Sequence, residues 1–159
     1  MIRYLGLVMI AAAGIIVSRE YEAKCRKRLS ELSEFIRLLE HIKAKISCFL
    51  SPKSDWLSDF SSEDTLINDF LTLSSKGSLS ESFSEIRDEL SLGREADIIE
   101  KLFSSLGKAY KDGEVMLLEK TLKELNSEHS ALLCECEKNI KTVKVLSASI
   151  SLGLIILLI

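Results

Sequence analysis

The sequence predicts an all-α protein: an antiparallel bundle of about six helices with a transmembrane helix at each end. Three observations lead there. Breakers are scarce, with one proline and seven glycines in 159 residues, which suits long helices and argues against a sheet with many tight turns. Apolar residues recur at steps of three and four, and no sustained apolar/polar alternation marks a strand. Fifteen uncharged residues stand near each end, at 4–18 and 145–159.

Each terminal segment, as a helix, is about 22 Å long, short of the roughly 30 Å hydrocarbon core. Met1, Ile2 and a snorkelling Arg3 extend the first, and the stem of Lys144 extends the second. A cleaved signal peptide is the rival reading of the first, since Ala11-Ala12-Ala13 offers small residues. Two features oppose it: the apolar run continues through Gly14-Ile15-Ile16-Val17, and the charge order is reversed. Only Arg3 precedes the segment, whereas Arg19, Lys24, Arg26, Lys27 and Arg28 follow it. Lys138, Lys141 and Lys144 precede the second segment. Basic flanks stay in the cytoplasm, so both ends predict a cytoplasmic middle. The expected organisation is a membrane helix over 1–18, a cytoplasmic helical bundle over 19–144 and a membrane helix over 145–159.

Between Gly14 and Pro52 there is no glycine or proline. Leu29, Leu32, Ile36, Leu39, Ile42, Ile46 and Phe49 form one helix face, so the first helix runs unbroken to a stop at Ser51-Pro52. Ser54-Asp55-Trp56-Leu57 is a candidate short helix, with Trp56 read as core. Ser62-Glu63-Asp64 opens a helix carrying Leu66, Ile67, Phe70, Leu71 and Leu73 and stopped by Gly77. Ser78 and Glu81 have capping-box spacing ahead of a Leu79, Phe83, Ile86, Leu90 stripe. The next helix covers about 94–105, with Gly107 as terminator. The last opens near Asp112-Gly113, with Leu118, Leu122, Leu125, His129, Leu132, Cys136, Ile140 and Val143 at near-coiled-coil steps. The two long helices leave and re-enter one membrane face. They must then run antiparallel, and the core of that stalk is expected to be Leu29, Leu32, Ile36, Leu39, Ile42, Leu118, Leu122, Leu125 and Leu132.

Charge is uneven. Residues 19–50 carry net +3, residues 51–103 net −7, and residues 104–144 are balanced. The overall −3 predicts no nucleic-acid partner. Glu81, Glu85 and Glu89 recur at i, i+4 opposite the apolar stripe; they read either as a solvated face or as a docking face for a basic partner. Chemistry is otherwise sparse. His129 lies on an apolar stripe and His41 on a polar face, both without catalytic partners. Cys25, Cys48, Cys134 and Cys136 lack paired C-x-x-C spacing and read as reduced thiols. No phosphate loop, zinc-protease or nucleophile-elbow motif occurs. No catalytic, cofactor or metal site is expected, and the chain reads as non-enzymatic.

With these residues in place, the chain resembles the stage III sporulation protein AB family over nearly its whole length. The likeness rests on the opening Arg3-Tyr4-Leu5-Gly6, the apolar Leu38-to-Ile46 helix ahead of Pro52, Leu106-Gly107 before a charged helix, and the terminal Leu-Gly-Leu-Ile-Ile-Leu-Leu-Ile. Lys43, Lys45 and Phe49 stand where the family commonly has an acidic residue and a tyrosine. The resemblance implies a subunit of the channel complex between mother cell and forespore, in the mother-cell membrane. It also implies a six-helix cytoplasmic domain like that of type II secretion platform proteins, and other channel subunits and a secretion-type ATPase as partners. The residues alone also allow a membrane-tethered coiled-coil scaffold unrelated to secretion.

Overall fold

In a computed structural model the described residues are 2–49 and 55–158, with side chains described for 12–47, 55–154 and 156. Among them are five α-helices and one 3-10 turn, and no strand: α1 Ile2–Phe49, α2 Thr65–Ser74, α3 Leu79–Ile86, the 3-10 turn Arg87–Glu89, α4 Arg94–Ser105 and α5 Lys111–Leu158. The expected short helix near Trp56 is only a turn, and α3 is shorter than its apolar stripe. The stop for α1 at Ser51-Pro52 and the side chain of Cys48 lie outside the described residues. The chain forms two compact units, Met1–Lys27 with Ala131–Ile159, and Arg28–Ser130.

The Arg28–Ser130 unit is built on the facing parts of α1 and α5. Ser33 hydrogen-bonds the His129 ring at 3.0 Å, Lys43 pairs with Glu119 at 2.8 Å, and Lys111 donates to the Ser47 carbonyl at 2.7 Å. Numbering rises on one strand of contacts as it falls on the other, so the two helices are antiparallel here. Leu32, Ile36, Leu39, Ile42, Leu118, Leu122 and Leu125 are buried. Leu29 is only half-buried, so the expected core begins one turn later. Phe35 and Leu38, outside the expected stripe, are fully buried, because α1 also packs its flank against the short helices.

That flank carries the tightest packing. Phe35, Phe70, Phe83 and Phe103, one from each of α1, α2, α3 and α4, meet with ring centroids 5.3–6.3 Å apart. Their edge-to-face and stacked geometry adds about 0.5–1.5 kcal/mol per pair to what burial contributes. Local chemistry sets the helix ends. The Asp64 carboxylate accepts from the Leu66 amide at 2.9 Å, and Ser78 from the Glu81 amide at 3.5 Å, each satisfying an orphan first-turn donor. Gly107 stands at φ 83° after α4, a left-handed position that glycine adopts without a Cβ penalty. Glu114, buried, reaches back to the Ala109 amide at 2.7 Å and caps α5.

Two polar assemblies hold the loops to α1. Arg37 donates to the Ser61 carbonyl at 2.6 Å, and Lys45 binds Asp59 at 2.9 Å. Between them the His41 Nε2 lies 2.9 Å from the Ser58 carbonyl; a carbonyl only accepts, so this nitrogen carries the proton. Arg37 also lies 5.1 Å from the Phe60 ring centroid, a cation–π arrangement. The hydrogen bond and charge of Lys45 hold the Asp59 carboxyl below its ordinary value. The second assembly is buried. Glu31 accepts from the Ser91 amide at 2.7 Å, while Arg28 donates to both Glu95 oxygens at 2.9 Å and the Gly93 amide donates to Glu95 at 3.0 Å. Burial raises the Glu95 pKa, but backbone amides and Arg28 outweigh it, and the carboxyl titrates below its ordinary range. This clamp fixes the start of α4 against α1.

The unit formed by Met1–Lys27 and Ala131–Ile159 is an antiparallel helix pair of a different kind. A Cβ at Gly14 would stand 2.6 Å from the Ser147 Oγ and 2.9 Å from the Ser151 Oγ, so the absent side chain permits the close approach. Ser18 donates back to the Gly14 carbonyl at 3.0 Å. Glu22 ties the pair further along, accepting from Lys144 at 2.7 Å and Arg26 at 2.8 Å. The transmembrane helices expected at 1–18 and 145–159 find no support here: among the described residues, no helix is long and apolar enough to cross a membrane. Each uncharged run stops at fifteen residues, and Ser147, Ser149, Ser151 and Gly153 dilute the second.

Candidate functional site

The acidic face lies in the Arg28–Ser130 unit. Phe83 and Ile86 turn inward from α3 and are buried, leaving Glu81 and Glu85 exposed one turn apart. Glu89 is also exposed but belongs to the 3-10 turn, where the α-helical stagger ends after Ile86. The expected three-residue i, i+4 stripe is therefore one helical pair plus a displaced third carboxylate. Arg87, which lies between Glu85 and Glu89 in the chain, is turned away: its guanidinium pairs with Asp97 and Glu100 of α4. Glu81, Glu85 and Glu89 carry no ion pair among the described residues, so their field points outward.

Beside this face a groove of about 910 Å³ opens where α2, α3 and α4 converge. Half-buried Leu57, Leu71 and Leu79 line it, with Glu81 and Lys108 among its charged residues. Trp56, Phe103 and Leu106 contribute buried surface to it, so Trp56 belongs to the core rather than projecting as an anchor. Tyr110, at the start of α5, is 93% exposed; nothing in its spacing marked it. The arrangement presents negative charge, apolar surface and serine hydroxyls.

The second feature belongs to the terminal helix pair. Ile15, Ile16, Val17, Val145, Leu146, Ile150, Leu152, Leu154 and Ile156 are 42–74% exposed. The side chains that face inward opposite them are small: Gly14, Ser18, Ser147 and Ser151. Leu132 and Cys136 are buried in the same unit, while Cys134, two residues away, is exposed, as opposite helix faces require.

The basic flanks divide by what they touch. Arg28 is bound to Glu95 within its unit, and Arg26 and Lys144 share Glu22. Arg19, Lys24, Lys138 and Lys141 have no ion pair among the described residues, and their side chains are exposed. Of the two histidines, His129 is half-buried against Ser33 rather than fully within the apolar stripe, and His41 holds a loop rather than facing solvent alone.

One family model, that of stage III sporulation protein AB, matches residues 3–159. No curated protein and no solved structure matches the chain.

Proposed function

Because the chain belongs to the stage III sporulation protein AB family, we propose that it is a non-enzymatic, membrane-anchored platform or adaptor subunit of the secretion-like channel complex between mother cell and forespore. In this reading it couples a cytoplasmic, secretion-type ATPase to the membrane components of the channel, with no nucleic acid, cofactor or small-molecule substrate. Segments 4–18 and 145–159 enter the mother-cell membrane, and the chain between them is cytoplasmic. Glu81, Glu85 and Glu89 form the docking face for a basic surface of the ATPase.

The observation that carries the reading is the row of large apolar side chains left exposed at 15–17 and 145–156. Soluble monomers rarely leave so continuous a patch open, and lipid is the natural solvent for it. Short apolar runs are accommodated by snorkelling flanks and local bilayer thinning, at a modest cost per ångström. Arg19, Lys24, Lys138 and Lys141, without an ion pair among the described residues, lie where cytoplasmic flanks belong.

Binding to the purified ATPase tests the docking role. The triple variant Glu81→Gln, Glu85→Gln, Glu89→Gln is expected to bind more weakly than the parent at low salt, with the difference shrinking at high salt as screening grows. Equal affinities with no salt dependence would leave the carboxylates as solvated surface.

A further inference from the structure

Within the terminal helix pair, a groove of about 690 Å³ runs between α1 and α5, walled by Gly14, Ile15, Ala148 and Leu152. That volume falls in the roughly 300–1,000 Å³ range of small-molecule sites. One end is apolar. The other is closed by Arg19, Glu22 and Lys144. Of the charged residues lining that end, the cations Arg19 and Lys144 meet a single carboxylate, Glu22, which binds Lys144 at 2.7 Å. The surplus is one positive charge beside an apolar slot. The hydrogen bond from Lys144, then that from Arg26, lowers the Glu22 pKa to about 2, so this carboxylate stays ionised and the surplus stays at one.

We propose that this groove holds one anionic phospholipid, its acyl chain along Gly14, Ala148 and Leu152 and its phosphate between Arg19 and Lys144. The inference rests on the membrane-anchored reading above. A zwitterionic lipid brings an ammonium to the same cations and fits less well. A free phosphate satisfies the cations but leaves the apolar slot open to water. The groove exists because Gly14 and the serines opposite it are small; large residues there would push the helices apart or fill the slot.

The test uses the full chain in detergent with phosphatidylglycerol as the probe, scoring lipid retained per chain after washing. The parent is expected to retain about one. The pair Arg19→Gln, Lys144→Gln is expected to lower retention by roughly ten- to thirtyfold, since each basic contact at such a surface contributes on the order of a tenfold preference or somewhat less. The pair Lys138→Gln, Lys141→Gln removes the same charge outside the groove and is expected to retain lipid as the parent does. Ala148→Phe fills the slot with every charge kept and is expected to lose the lipid while keeping its circular-dichroism melt. Equal retention in both charge pairs, retention by Ala148→Phe, or displacement by inorganic phosphate alone would overturn the proposal. Flotation with vesicles separates the two readings. A chain that floats equally with phosphatidylcholine and phosphatidylglycerol vesicles and retains no lipid is anchored without this site. A chain that floats with neither is not anchored at all.

Discussion

The two compact units dispose of their apolar residues in opposite ways. The Arg28–Ser130 unit turns Phe35, Phe70, Phe83 and Phe103 inward and keeps charge outside or clamped. The terminal pair packs glycine and serine inward and leaves isoleucine, valine and leucine facing out. In water, burial of large side chains drives the first arrangement, at about 1.5–3 kcal/mol for each one fully buried. It does not act in the second, where Gly14 lets the two helices approach closely past Ser147 and Ser151.

The sharpest way to break this contrast is to truncate a matched apolar residue in each unit. Phe83→Ala is expected to cost about 3–5 kcal/mol of unfolding free energy, by lost burial and a cavity among three other rings. Ile16→Ala is expected to stay within about 0.5 kcal/mol in detergent, because the side chain meets solvent rather than protein. Denaturant unfolding of the full chain measures both, and similar costs would erase the distinction.

The buried clamp comes next in size. Arg28→Ala leaves the Glu95 carboxylate, 2% exposed, without its guanidinium; a broken buried pair costs about 3–5 kcal/mol. Because Arg28 itself is a third exposed, we expect about 2–3 kcal/mol in this case. The pH dependence sharpens the assignment. The Glu95 pKa is depressed on folding, so its contribution is complete above its ordinary value of 4.5 and is lost as pH falls through the folded value. The parent is thus expected to lose stability below that pH, and Arg28→Ala to lose less over the same range. Identical acid profiles would mean the pair contributes nothing.

The acidic face gives the smallest effect. Only Glu81 and Glu85 remain an i, i+4 pair on one α-helix, so relieving their repulsion is worth about 0.2–0.5 kcal/mol. Glu81→Gln with Glu85→Gln should raise the melting temperature slightly, and adding Glu89→Gln should add little. A further rise from the third change would restore the three-residue stripe.

Much of the fold could be read from period and punctuation. The bounds of α2, α4 and α5 follow Asp64, Gly107 and the run after Asp112, because caps and terminators act locally. Phe35 escaped because a single 3.6-residue stripe describes a helix with one neighbour, whereas α1 has neighbours on two sides. The loop-holding set Arg37, His41 and Lys45 looked like a solvated polar face; their partners at 58–61 are ordered by a turn that no helical period encodes. Glu89 misled because i, i+4 spacing assumes an α-helix that gives way to a 3-10 turn after Ile86. Leu29 and the basic flanks were visible as residue types, but that Arg28 is the partner of Glu95 rather than a free flank depends on contacts 67 residues apart.

The contrast between the units is tested most directly by asking what each surface touches in a bilayer. Spin labels at Ile16→Cys, Ile150→Cys and Glu85→Cys, with the four native cysteines replaced by alanine, would be read in the full chain reconstituted into vesicles. Collisions with oxygen, which enters lipid, are compared with those of a water-soluble nickel chelate. Oxygen-dominated collisions are expected at 16 and 150 and chelate-dominated collisions at 85. Chelate access at 16 and 150 equal to that at 85 would contradict the contrast.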